Sequence, residues 1–114
     1  MKVDKLIPPP AERTQFAWSH HAQVPAKPGC YALVTYDGEV LYVGLATTSI
    51  QSRMRSHLDM PEKRKGSPLG VPFWFYYSVV ADRRDVGPIE RGWMNQAILE
   101  DAEIPFLNKV FSPI

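Results

Sequence analysis

This sequence is poor in the features that announce a function at sight. It has 114 residues and one cysteine, Cys30. A single thiol cannot close an internal disulfide, and no cysteines and histidines fall at zinc-ligand spacing. Cys30 sits in an apolar run, the setting of a small buried hydrophobe. His20 and His21 are adjacent, poor spacing for a helical metal pair. No apolar stretch approaches transmembrane length and no signal peptide opens the chain, so the expected setting is cytoplasmic. An excess of charge is missing too. Thirteen Lys and Arg face 12 Asp and Glu, a net charge of +1 that advertises no nucleic-acid partner. Repeats and low-complexity segments are lacking.

What is present suits one small domain. The chain is 45% hydrophobic and 22% charged. That can bury a modest core without disulfides or structural metal. Residues 1–27, with Pro8-Pro9-Pro10 and Pro25, read as an N-terminal arm whose Phe16 and Trp18 offer a contact surface. Residues 28–114 read as the domain itself. Period-2 and period-3.6 patterns predict strands near 30–36, 39–44 and 72–80 and helices near 49–58 and 88–100. The stretch 60–71, with Pro61, Gly66, Pro68 and Gly70, reads as a loop. The expected architecture is a mixed α/β (α+β) domain, a small three-stranded antiparallel sheet flanked by helices.

The hairpin is the densest signal. In "PGCYALVTYDGEVLYVG" two apolar runs flank Asp37-Gly38, which favours a two-residue type I′ turn. That turn pairs Tyr36 with Glu39, Val34 with Leu41, Leu33 with Tyr42 and Tyr31 with Gly44. Alternation then puts Tyr31, Tyr42 and Gly44 on one face. Gly44 places no side chain across from Tyr31, so the phenol is expected to be open to a ligand. The plain alternative is that both tyrosines are ordinary strand aromatics and Gly44 a bulge.

The helices add charged groups. Arg53 and His57 are four apart, hence neighbours on one helical face. Glu90 opens an apolar stripe continued by Trp93, Met94, Ala97 and Ile98. It is either a charge favoured by the helix dipole or a carboxylate held for a purpose. Residues 53–65 hold five Lys or Arg against two acids. This patch is a solvated helix end or a phosphate-binding surface, with Arg55, Lys63, Arg64 and Lys65 as its contacts.

Taken in order, these residues resemble the GIY-YIG endonuclease superfamily. Its two signatures match Gly29-Cys30-Tyr31 and Tyr42-Val43-Gly44. Its helical Arg and His match Arg53 and His57. Its later Glu and aromatic match Glu90 and Trp93, and its closing P-x-x-N pattern matches Pro105 to Asn108. The resemblance implies a metal-dependent endonuclease acting on DNA, with Tyr31, Tyr42, Arg53, His57 and Glu90 catalytic. Glu90 would hold one Mg²⁺ or Mn²⁺, and Arg53 would clamp the scissile phosphate. Tyr31 would orient or deprotonate the water, and Tyr42 would bond the phosphate or the water. Gly44 would leave room for the phosphate and Asn108 would support the site against the substrate. Two departures stand out. Cys30 replaces an Ile, and Leu45 replaces the Lys that many members carry after the second motif, which makes His57 the candidate helper. Whether Tyr31 or His57 is the general base stays open, as does a catalytically silent module that only binds DNA or protein. One such site cuts one strand, so double-strand cleavage would need two nicks or a homo-oligomer.

Overall fold

The computed structural model describes residues 1–65 and 67–111, with backbone only at 62, 64 and 109–111. Four strands form one antiparallel sheet among the described residues: β1 (Glu12–Gln15), β2 (Gly29–Thr35), β3 (Val40–Ala46) and β4 (Pro72–Val79), in the order β1-β4-β2-β3. Around it stand α1 (Ile50–Leu58), α2 (Pro61–Lys65), α3 (Val86–Asp101) and α4 (Phe106–Phe111). The sheet therefore has four strands and not three. The extra one comes from the 1–27 segment, where Arg13 pairs with Tyr76 and Thr14 with Phe75 of β4. Phe16, just beyond, is buried and stacked on Phe75 at 6.4 Å.

β2 is central, and all seven of its residues are buried. Its alternation divides two cores. Tyr31 and Leu33 face α1, packing with Tyr42, Ile50, Met54 and Leu58. Cys30, Ala32 and Val34 face α3, packing with Val43, Trp93 and Met94. Both helices match their sequence signals. Ser49 caps α1 by accepting from the Ser52 amide at 3.1 Å. α3 starts two residues before Pro88, which then lies in the first turn, where its missing N–H leaves no bond unmade. Trp93 is fully buried, and its indole N–H donates to the Pro8 carbonyl at 2.8 Å, tying the N-terminal segment to α3.

The hairpin keeps the expected pairs at the site and departs from them at its tip. Tyr31 pairs with Gly44 and Leu33 with Tyr42, but Val34 pairs with Val40, so Leu41 is an extra, bulged residue. The loop is also longer. Gly38, at φ +95°, donates to the Thr35 carbonyl at 3.0 Å, and Thr35 donates to Glu39 at 2.9 Å, closing a three-residue loop. The cause is long-range. Val40 donates to the Met1 carbonyl and Val3 to the Gly38 carbonyl, each at 2.8 Å, so residues at the start of the chain fix the tip. The 60–71 stretch is not all loop, since α2 forms with Pro61 as its first residue. No described helix is long and apolar enough to cross a membrane.

Candidate active site

Strand alternation and one helix bring four of the five sequence-selected catalytic residues together. Tyr31 on β2 and Tyr42 on β3 have ring centroids 6.2 Å apart. His57 on α1 lies 5.3 Å from the first ring and 5.0 Å from the second. The Tyr31 hydroxyl and His57 Nε2 share a hydrogen bond of 2.6 Å. The other ring nitrogen, Nδ1, is 2.8 Å from Lys63 Nζ, and that ammonium also sits 3.9 Å over the Tyr42 ring. Arg53, one turn before His57, is exposed, and its charge and that of a Tyr31 phenolate would favour each other.

Burial and like charge set the proton affinities. Burial, then Tyr42, pushes the Tyr31 phenol well above its ordinary value, although Arg53 pulls the other way. Burial, then the positive charges of Lys63 and Arg53, drives His57 down to about 3. Burial and Arg53 lower Lys63 to about 8. His57 is therefore a neutral imidazole near neutral pH.

Two expectations need correction here. Tyr31 is 0% exposed, so its phenol is not open to a ligand. A Cβ on Gly44 would lie 2.5 Å from the Tyr31 hydroxyl and Cζ, so the room beside Gly44 is filled by the Tyr31 ring. Lys63 is not an exposed phosphate contact. It is 3% exposed, because α2 turns it inward onto His57 and Tyr42. Arg55 and Lys65 are exposed, and the Arg64 side chain lies outside the described residues. Asn108 is buried, and both ends of its amide engage the Val43 peptide. Oδ1 accepts from the amide at 2.8 Å and Nδ2 donates to the carbonyl at 2.9 Å. It holds the outer edge of β3 beside Tyr42.

A cleft of about 310 Å³ opens at the N-terminus of α1, lined by Leu45, Ala46, Thr47, Thr48, Ser49, Ser52 and Arg53. Hydroxyls, a helix N-terminus and a guanidinium together favour an anion. The signal for the hydroxyls in the sequence was the polar run Thr47-Thr48-Ser49 between a strand end and a helix start.

Comparison with known proteins agrees with this geometry. No family model matches the chain. Over 37 residues it is 51% identical to the UvrABC system protein C of Anaeromyxobacter dehalogenans, strains 2CP-1 and 2CP-C. That match covers 32% of this chain and 5% of those much longer proteins. The structural match is broader. The N-terminal GIY-YIG endonuclease domain of UvrC from Thermotoga maritima, solved with its catalytic magnesium, superposes with a TM-score of 0.56. The overlap is 79% of this chain and 92% of that one, at 23% identity. The chain has the GIY-YIG fold.

Within the GIY-YIG fold Glu90 comes from the other helical layer. It is on α3, across the sheet, where its charge bears on the Cys30 thiol. Among the described residues, no hydrogen bond, ion pair or ring contact joins it to Tyr31, Arg53 or His57. Its side chain is half-buried, and that burial raises its pKa, with Arg91 opposing. No group of three or more His, Cys, Asp or Glu that could hold a metal exists among the described residues. A partly desolvated carboxylate with no hydrogen-bond partner among the described residues fits a hard cation that takes its other ligands from water and substrate.

Gly44→Ala tests the tyrosine packing. Its methyl must displace the Tyr31 ring, at an expected loss of about 1–3 kcal/mol, the usual range for overpacking. Urea denaturation measures this, and a change within about 0.5 kcal/mol would contradict the packing described.

Proposed function

We propose that this chain is a divalent-metal-dependent endonuclease that hydrolyses DNA phosphodiester bonds. The observation that carries the reading is the position of Arg53. It lines the anion-favouring cleft, and its positive charge acts on the Tyr31 phenol, opposing the rise in that group's pKa. A phosphate in the cleft would thus meet the guanidinium whose charge also bears on the phenol.

Each residue then has a role. Arg53 clamps the scissile phosphate, since a guanidinium matches phosphate oxygens two at a time. Tyr31 takes the proton from the attacking water, which reaches the covered oxygen only when a neighbouring side chain gives way, with His57 bonded to that oxygen. Tyr42 packs against the ring of His57. Asn108 positions β3, while Arg55 and Lys65 lie on the surface where DNA phosphates pass. Glu90 would hold a Mg²⁺ or Mn²⁺ ion, which supplies charge neutralisation at the leaving 3′-oxygen when bound. Basic and hydroxyl groups around the cleft make DNA the partner. The full burial of Tyr31 favours a second reading, a nuclease-like module that binds DNA without cutting it.

Arg53→Ala separates the two readings. In an enzyme it lowers nicking by about 100-fold or more, the scale of losing one charged donor at the reacting phosphate. It also weakens DNA binding and makes the salt slope shallower by about one unit. Binding that falls without any wild-type nicking would leave the binding module. Unchanged nicking would remove Arg53 from the site.

A further inference from the structure

Resting on the nuclease reading above, we propose that Lys63 is a positioning residue: through His57 it sets the direction of the hydrogen bond to Tyr31 and holds that tyrosine as an acceptor. The argument begins with two distances. His57 Nδ1 lies 2.8 Å from Lys63 Nζ, and Nε2 lies 2.6 Å from the Tyr31 hydroxyl. An ammonium has only donors. It therefore donates to Nδ1, which must be the bare nitrogen of a neutral ring. The proton of that ring is then on Nε2 and is donated to the Tyr31 oxygen. An imidazole with the opposite tautomer would put two donors face to face at Lys63.

The setting supports a built device and not an accident of packing. Lys63 and His57 are each 3% exposed. Among the described residues no carboxylate pairs with Lys63; its charge faces the His57 ring and, at 3.9 Å, the Tyr42 ring. Arg53 on α1 is the other cation of the cluster. β2 contributes Tyr31, β3 contributes Tyr42, and β4 adds Phe75, stacked 5.2 Å from Tyr31, with Tyr77 beyond it. A buried ammonium next to a neutral histidine and two phenols stabilises negative charge on a phenol.

The proton inventory follows. When one proton leaves the Tyr31–His57–Lys63 unit, the vacancy can lie on Tyr31, giving a phenolate, a neutral Nε2–H imidazole and an ammonium. Two concerted shifts give the same count otherwise. His57 passes its Nε2 proton to Tyr31 while Lys63 passes one to Nδ1, leaving a phenol and a neutral amine. The unit titrates as one, with values that belong to none of its members alone. In the step itself, the phenolate oxygen takes one proton of water, and the remaining hydroxide forms the bond to phosphorus as the P–O3′ bond breaks, the 3′-oxygen leaving with the electron pair and taking a proton from solvent. Lys63 thus does from α2 what a residue at Leu45 cannot.

The test combines a readout that needs no activity with one that does. Nitrogen NMR of ring-labelled wild-type protein should show His57 protonated at Nε2, with Nδ1 bare and hydrogen-bonded. Protonation at Nδ1 would overturn the proposal, since Lys63 would then be an acceptor and Tyr31 a donor. In Lys63→Met the hydrogen-bonded signature of Nδ1 should disappear. The nicking rate near pH 7.5 should fall about 10- to 100-fold, the range of acid–base contributions, and its pH inflection should move up by about one unit. Plasmid affinity should stay within about twofold, because a buried side chain makes no phosphate contact. Lys63→Arg should restore part of the rate. An unchanged pH profile in Lys63→Met, or a loss of affinity equal to the loss of rate, would contradict the role. Should Lys63→Met fail to fold, Lys63→Gln replaces it, as an uncharged donor that keeps the tautomer and loses the rate. If wild-type protein does not nick DNA, the nuclease reading fails, and the tautomer measurement still decides the geometry.

Discussion

Glu90→Ala is expected to stop Mg²⁺-dependent nicking while leaving the fold and DNA affinity intact. The expected loss is about 1000-fold or more, since a bound cation contributes several kcal/mol to the developing charge. The structure makes this substitution unusually clean. The Glu90 side chain has no hydrogen bond or ion pair among the described residues, and its burial disfavours the charge. Removing it should therefore shift stability by no more than about 0.5 kcal/mol. DNA binding should be equal or tighter, because one negative charge near phosphate is gone. A helix-terminal Glu with no other role predicts the reverse pattern. Stability would fall by about 0.3–1 kcal/mol and nicking would persist. Rate, melting and affinity measured on one preparation tell these patterns apart.

Tyr31→Phe should lower the nicking rate by at least about 100-fold, the scale of a lost acid–base group. Here stability should suffer too. The ring packs between Phe75, Tyr42 and Gly44 and stays in place, but the hydroxyl is the partner of buried His57 Nε2. An orphaned buried donor costs about 1–3 kcal/mol. The variant should therefore fold, with a lower denaturation midpoint and no change in denaturant slope. Affinity for DNA should hold, since Tyr31 is covered and Arg53 remains. Calorimetry and a plasmid assay check both halves. Full activity with the stability loss alone would reduce Tyr31 to a core residue.

Much of the frame was legible because local patterns agree with the final packing. The apolar run 30–34 is continuous because β2 is covered on both faces, by α1 and by α3. The pairs Tyr31–Gly44 and Leu33–Tyr42 followed from alternation, and α1 followed from its period-3.6 pattern. What escaped depends on distant partners. β1, Glu-Arg-Thr-Gln, has no strand signature and is a strand because β4 offers it an edge. The bulge at Leu41 follows from Met1 pairing with Val40, a contact no local pattern announces. Gly44 was right in place and wrong in consequence, because the space it leaves is occupied by the opposite ring. Lys63 was expected on the surface, as a phosphate contact or a solvated charge, because lysines are almost never fully buried. Only the turn from α1 into α2 brings it beneath His57. The Leu45 departure and the buried lysine belong together. On the proposal made above, a cation missing after the second motif is matched by one arriving from another element.

The central claim is that this chain cuts DNA with one metal-assisted site. Its most direct test is the conversion of supercoiled plasmid to open circles by purified protein. The assay is run with Mg²⁺, with chelator, and with Glu90→Ala beside the wild type. The account predicts open circles from the wild type in Mg²⁺ and none in chelator or from Glu90→Ala. Equal nicking by Glu90→Ala, or wild-type protein that binds plasmid in Mg²⁺ and leaves it supercoiled, would contradict it.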